Sequence, residues 1–148
     1  MKIKELMTEN PKCCSPDTPL AQVARLMVDS DCGEIPICDG DQKVIGVITD
    51  RDITCRVVAK ERDARTLTAR DAMSEPVITI SEDKSAEDAA SALADNQIRR
   101  IPVVDGDGKL VGIVAQADLA MTGSEKAGEV VRNVSRPSDR ASNVRMTH

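Results

Sequence analysis

Lys43-Val44-Ile45-Gly46-Val47-Ile48-Thr49-Asp50-Arg51-Asp52-Ile53 returns, altered at a few places, as Lys109-Leu110-Val111-Gly112-Ile113-Val114-Ala115-Gln116-Ala117-Asp118-Leu119. Each copy is an apolar, largely β-branched run that breaks at a small or hydroxylic residue and passes into helix-compatible sequence. Each therefore reads as a buried strand feeding a helix. The same offset of 66 residues aligns Glu34-Ile35-Pro36-Ile37-Cys38-Asp39-Gly40-Asp41 with Arg100-Ile101-Pro102-Val103-Val104-Asp105-Gly106-Asp107, and Met7-Thr8-Glu9 with Met73-Ser74-Glu75. Two related units make up nearly all of the 148 residues.

The remaining elements follow from spacing and punctuation. Residues 1–10 form a short helical lead-in with Ile3, Leu6 and Met7 on one side and Pro11 ending it, and Lys12 to Ser15 make a first strand. Asp17-Thr18-Pro19 supplies a cap and an opening proline for a helix from Leu20 to Asp29, where Leu20, Val23, Ala24, Met27 and Val28 recur at helical spacing. Strands at Glu34–Cys38 and Lys43–Thr49 flank the Asp39-Gly40-Asp41 turn, and a second helix runs from Arg51 to Lys60. Glu61 to Ala69 reads as a connector. The second unit repeats the scheme: an Arg70–Ser74 lead-in, a Pro76–Ile80 strand, a helix from Ser85 to Asp95 with Ser85 as cap and Asp88 three residues on, strands at Arg100–Val104 and Leu110–Ala115, and a helix from Gln116 to Thr122. The expected architecture is α+β, with unit one at residues 1–62, unit two at 63–122 and a tail at 123–148.

An Ile-Pro-Ile/Val strand, a glycine-containing turn, and then Gly-hydrophobic-hydrophobic-Thr-x-x-Asp closely resemble the CBS (cystathionine β-synthase) domain in its tandem form, the Bateman module. The resemblance covers about residues 1–122. It implies two β-α-β-β-α CBS units packed about a pseudo-twofold axis, with two related clefts between them. It also implies flat homodimers and the binding of an adenine nucleotide (AMP, ADP or ATP) as a regulatory ligand. In the family the Asp of Thr-x-x-Asp contacts ribose with the Thr hydroxyl nearby, and those roles carry onto Asp52 and Thr49.

The chemistry suits that role, because a carboxylate with both oxygens available accepts from the 2′ and 3′ hydroxyls together. Thr-x-x-Asp ahead of an amphipathic segment is equally a capping box, worth about 0.5–2 kcal/mol to a helix, and cap and contact can coexist. The second unit has Ala115-x-x-Asp118, so its cleft lacks the hydroxyl and is expected to be weaker, selective for another ligand, or empty. Arg99, Arg100 and Arg51 are the candidate cations for phosphate, whereas the positions matching Arg99 and Arg100 in unit one are Gly33 and Glu34. The resemblance implies apolar side chains around the base, which would be Val77, Ile78, Ile80 and Ile98 in the Asp52 cleft, and Cys13, Cys14 and Cys32 in the Asp118 cleft.

Composition narrows the alternatives. The chain has no Phe, Tyr or Trp, so aromatic stacking on a base is excluded and the core is built from Ile, Val, Leu, Met, Ala and Cys. A net charge of −5 argues against nonspecific nucleic-acid binding by the folded body. From Gly123 onward five basic residues face three acidic ones, and Val130, Val131 and Val134 form the one apolar cluster. The five cysteines align with Thr79, Ile80, Ile98, Val104 and Met121, mostly plain hydrophobes, so they read as small core residues. No Cys-x-x-Cys spacing exists and the single histidine is His148, which leaves no metal-ligand pattern. No nucleophile-histidine set, Gly-x-Gly-x-x-Gly or P-loop is present, so no catalytic residue is assigned and a non-enzyme is expected. No run of 18 apolar residues occurs and Met1-Lys2-Ile3-Lys4-Glu5 is too charged for a secretion signal, so no membrane association and a cytoplasmic location are expected. The leading expectation is a stand-alone regulatory sensor that signals nucleotide occupancy to a client protein or to its own oligomer. The rivals are a ligand-free interaction scaffold, or the same module sensing S-adenosylmethionine, NAD or a cyclic dinucleotide.

Overall fold

The computed structural model describes residues 1–75 and 77–120. Expectations for Pro76, for the last two residues of the Gln116–Thr122 helix and for the tail lie outside the described residues. Alternation of branched apolar residues yields the strands β2 (Glu34–Cys38), β3 (Val44–Thr49), β5 (Arg100–Val104) and β6 (Leu110–Ala115). Helical periodicity yields α1 (Leu20–Ser30) and α3 (Ala86–Asn96). Short helices α2 (Asp50–Ile53) and α4 (Gln116–Ala120) follow β3 and β6 directly. No described helix is long and apolar enough to cross a membrane.

Local chemistry sets the ends of these elements. In α3 the Ser85 hydroxyl accepts from Asp88 N and Ser85 N donates to Asp88 Oδ2, both at 3.1 Å, which holds the Asp88 carboxyl below its usual range. At α1 the cap position is Pro19 itself, without a side-chain acceptor, and Leu20 N instead donates to Leu67 O at 3.0 Å. Asp31 and Gln97 end α1 and α3 in the left-handed conformation, at φ 49° and 52°.

Three expected elements are shorter or different. Around Lys12–Ser15 only Cys14 bridges, in parallel, to Ile37, since Pro11 and Pro16 on either side have no N–H to donate. In place of a Pro76–Ile80 strand, β4 is Ile80–Ser81, parallel to β5. The helix expected over Arg51–Lys60 changes after Ile53 into a π-helical turn, Thr54–Val58. Its cause is local: the Thr54 hydroxyl bonds back to Asp50 O at 3.1 Å, and Ala59 N then reaches Thr54 O, five residues back.

Two compact units emerge, and they cut across the repeat boundaries at 62 and 63. One comprises Asn10–Ile78 with Gly106–Leu110; the other comprises Met1–Glu9, Thr79–Asp105 and the described residues from Val111. In the first, β2 and β3 pair antiparallel with Glu34 opposite Thr49, and Ser74 bridges to Val47. Its core is Leu20, Val23, Met27, Ile35, Ile37, Ile48, Val57, Ala69 and Ala72. In the second, the strand order is β1-β6-β5-β4, where β1 (Thr8–Glu9) runs antiparallel to β6 with Thr8 opposite Ile113. Its core joins Ile3 to Ala89, Ala90, Leu93, Ala94, Ile101, Val103, Val114 and Leu119. The lead-in of each repeat is thus paired with the Gly-containing strand of the other.

Both pairings depend on a glycine. A Cβ on Gly46 would lie 3.0 Å from Ser74 O, and one on Gly112 would lie 3.0 Å from Thr8 O and collide with the Met7 thioether. Glycine in the motif is therefore the seat of the incoming lead-in backbone.

Candidate functional site

The first strand-to-helix junction is closed on itself. Thr49 ends β3 with extended backbone, and its hydroxyl accepts from Asp52 N at 3.0 Å while Thr49 N donates to Asp52 Oδ2 at 2.9 Å. Ser74, 22 residues away, shares its hydroxyl proton between Asp52 Oδ1 and Oδ2 at 3.3 and 3.4 Å. The Arg56 guanidinium stands 3.9 Å from Asp52 Oδ1 and donates from Nη1 to Ala72 O and Met73 O at 2.9 and 2.7 Å. Asp52 is only 7% exposed. The carboxylate expected to offer both oxygens is buried with its own chain on both, because the lead-in of the second repeat lands on this junction. The capping-box reading of Thr49 and Asp52 is what the local geometry shows.

The second junction has the same backbone and different side chains. Ala115 N donates to Asp118 Oδ2 at 2.8 Å, the one hydrogen bond of the half-buried Asp118 carboxylate among the described residues. Gln116 N donates to Arg99 O at 2.9 Å, which ties the start of α4 to the residue preceding β5. Among the described residues, Gln116 Oε1 is buried without a hydrogen-bond partner. A buried amide oxygen in that state carries a desolvation cost that a donor would relieve.

The other expected site residues divide between the compact units. Thr49, Arg51, Asp52, Val77 and Ile78 lie in the first, where Arg51 is exposed, Val77 half-buried and Ile78 40% exposed. Ile80, Ile98, Arg99 and Arg100 lie in the second with Asp118; Ile80 and Ile98 pack against its core, Arg99 is exposed and Arg100 half-buried. Cys13, Cys14 and Cys32 belong to the first unit. The sequence reading missed Ser74, Arg56 and Gln116 as site residues. Gln116 was detectable as the counterpart of Asp50 in the 66-residue alignment, but nothing local announces the long-range partners of Asp52.

Electrostatics differ between the junctions. Beside Thr49 stand the acids Glu34, Asp50 and Asp52, with Asp50 N on Gly33 O at 3.0 Å and the Asp50 carboxylate over Gly33, where an added Cβ would meet it at 3.0 Å. Beside Ala115 the corresponding residues are Arg100, Gln116 and Asp118, with Arg99 in place of Gly33.

The cysteines are less uniformly core than expected. Cys38 alone is buried; Cys14, Cys32 and Cys55 are half-buried and Cys13 is exposed. Cys14 N donates to Pro36 O and Cys38 N to Cys14 O, at 3.1 and 2.8 Å. Burial, followed by the adjacent Cys13 thiol, pushes the Cys38 thiol up to about 12. At pH 8, iodoacetamide should therefore label Cys13 first and Cys38 only after unfolding, read by peptide mass spectrometry. Equal labelling rates would refute the burial of Cys38. Among the described residues no group of three His, Cys, Asp or Glu side chains is placed to hold a metal ion.

Comparison with known proteins agrees with the fold. The model of the CBS domain matches twice, over residues 3–58 and 69–124. A CBS domain-containing protein of Bacillus subtilis, YhcV, is 38% identical over 136 residues, covering 90% of this chain and 94% of its own length. The chain spans about half, 54%, of an uncharacterized Methanopyrus kandleri protein to which it is 38% identical over 105 residues, 71% of this chain. The structure of Hypoxic Response Protein I with two coordinated zinc ions superposes with a TM-score of 0.76 at 30% identity, covering 82% of this chain and 98% of that one. The CBS domain pair of protein MJ0100, in complex with 5′-methylthioadenosine and S-adenosylmethionine, superposes with a TM-score of 0.74 at 25% identity, covering 83% and 95%.

Proposed function

The chain belongs to the CBS domain family and carries the domain in tandem, and from that premise we propose that it is a regulatory module that binds an adenosine-containing ligand. It reports occupancy to a client protein or to a second copy of itself. One observation supports this reading: the strand-to-helix junction occurs twice and each copy ends on a carboxylate, Asp52 or Asp118, a group able to accept the hydroxyl donors of a ribose, with Asp52 closed by Ser74 and Thr49 in this structure. The adenosyl ligands of the MJ0100 pair support the ligand class. Within that class, AMP, ADP or ATP is our preferred ligand, because arginines accompany the carboxylates. The role is regulatory rather than catalytic, and a ligand acts in it only through its different affinities for two packings of the protein.

A thermal-shift panel of AMP, ADP, ATP, S-adenosylmethionine, 5′-methylthioadenosine and NAD tests the reading. A ligand at about 100 times its Kd should add about 2.7 kcal/mol, seen as a rise of about 5–10 °C. If none of the six moves the midpoint, the protein is a ligand-free interaction scaffold and both carboxylates are caps.

A further inference from the structure

We propose that Cys13 and Cys38 form a peroxide-responsive disulfide that clamps the segment ahead of α1 onto β2. The proposal stands apart from the ligand reading.

The backbone brings the two thiols together within one compact unit. Cys14 pairs in parallel with Ile37: Cys14 N donates to Pro36 O at 3.1 Å and Cys38 N to Cys14 O at 2.8 Å. Residues opposite each other on a ladder share a face and successive residues alternate, so Cys14 and Ile37 point to one face while Cys13 and Cys38 share the other. Burial first, and then the charge and direct contact of the Cys13 side chain, raise the Cys38 thiol, with Asp39 and Cys14 contributing less. Access separates the partners. Cys13 is exposed and Cys38 is only 4% exposed, so oxidant from solution meets Cys13 first.

The second repeat is an internal control. There Ile80 pairs with Val103 and Ser81 with Val104 in the same parallel register 66 residues on, and the positions of Cys13 and Cys38 are held by Thr79 and Val104. That ladder forms without sulfur at either place, so packing alone does not call for the pair. Nor does metal binding, since among the described residues no three His, Cys, Asp or Glu side chains are placed to hold an ion.

The chemistry balances with one peroxide. The Cys13 sulfur attacks as thiolate, an S–O bond forms, the O–O bond breaks, and the departing hydroxide takes up the proton that Cys13 released, which leaves a sulfenic acid. The Cys38 sulfur then attacks the Cys13 sulfur; the S–S bond forms, the S–O bond breaks, and the second hydroxide leaves with the Cys38 proton as water. Two thiols are oxidised to a disulfide while the peroxide is reduced to two waters. Among the described residues 12–15 make one bridge to β2, between Pro11 and Pro16, so this segment can shift to set the sulfurs at bonding distance.

The full chain, reduced and then treated with hydrogen peroxide, tests the proposal by non-reducing peptide mass spectrometry and by thermal melting with and without dithiothreitol. Peptides linked through Cys13 and Cys38 should appear, and the midpoint should rise by about 5 °C or more, reversed by dithiothreitol. Cys13→Ser, at an exposed position, should melt like the reduced wild type and lose both the link and the rise. Cys38→Ala should lose both as well, and if it fails to fold the Cys13→Ser variant decides alone. Cys14→Ser and Cys32→Ser should keep both. The proposal is overturned if the link joins other cysteines or two chains, if Cys13 proceeds to sulfinic acid with Cys38 still a thiol, or if no cysteine is oxidised. A Cys13–Cys38 link with no rise in the midpoint overturns the clamp.

Discussion

Asp52→Ala should destabilise the protein by about 2–4 kcal/mol, the sum of a lost helix cap and of hydrogen bonds to a buried charged acceptor. The carboxylate is 7% exposed and joins three parts of the chain: the end of β3 through Thr49 N, the second lead-in through the Ser74 hydroxyl, and the π-helical turn through Arg56. Removing it leaves a backbone N–H and a hydroxyl facing a site closed to water. The Arg56 ion pair adds little, because that side chain is 38% exposed and the gap is 3.9 Å. Urea unfolding followed by circular dichroism gives the change in midpoint at constant m. Asp52→Asn, which keeps one oxygen as acceptor for Thr49 N or Ser74, should lose about half as much. A loss for Asp52→Ala below about 0.5 kcal/mol would mean that the carboxylate contributes no more than an ordinary surface group. Because the effect is on folding, it should appear without any ligand, which separates it from a binding role.

Gly112→Val is the second large effect, at about 1–3 kcal/mol, the usual cost of forcing extra methyl groups into filled space. Its added Cβ would lie 2.8 Å from Met7 Cγ, in collision with the Met7 thioether and 3.0 Å from the backbone oxygen of Thr8. The methionine side chain can swing aside; the β1 backbone cannot without breaking its pairing of Thr8 with Ile113 and Glu9 with Gly112. Valine has high strand propensity, so any loss of stability reports the displaced lead-in rather than β6 itself. Hydrogen exchange should localise it to Ile3, Leu6 and Met7, whose amides bond Lys84 O and Ile3 O. Gly46→Val should do the same to Ser74, whose backbone oxygen stands 3.0 Å from the added Cβ. Normal stability and exchange in both variants would show that the lead-ins are not seated on these glycines.

The two results bear on one feature, the exchange of lead-in segments between repeats. Met73-Ser74-Glu75 lies along β3 and Met7-Thr8-Glu9 along β6, so each repeat's Gly-containing strand is paired by the other repeat's sequence. A threonine in one lead-in and a serine in the other look interchangeable in a sequence alignment. In the structure the serine is hydrogen-bonded to Asp52, and among the described residues Asp118 has the local bond from Ala115 N.

What the sequence by itself determined was everything that arises within a few residues along the chain. The duplication, the four long strands, α1 and α3, the Ser85–Asp88 and Thr49–Asp52 capping boxes and the family are all written in periods of 2 and 3.6 and in pairs three residues apart. Capping boxes are legible because donor and acceptor belong to one turn of chain. The shortened Lys12–Ser15 strand and the π turn after Ile53 were also local, and were missed because flanking prolines and a threonine back-bond outweighed the hydrophobic pattern. Only the tertiary structure decided which lead-in pairs with which strand, that Ser74 reaches Asp52 from 22 residues away, that Arg56 spans to Ala72 and Met73, and that the Gln116 oxygen is buried without a partner among the described residues. The physical reason is that availability is not a property of a residue type. The aspartates that end Thr49-x-x-Asp52 and Ala115-x-x-Asp118 have the same intrinsic chemistry. Whether its oxygens face a ligand or its own chain is set by which distant segment folding delivers to that junction.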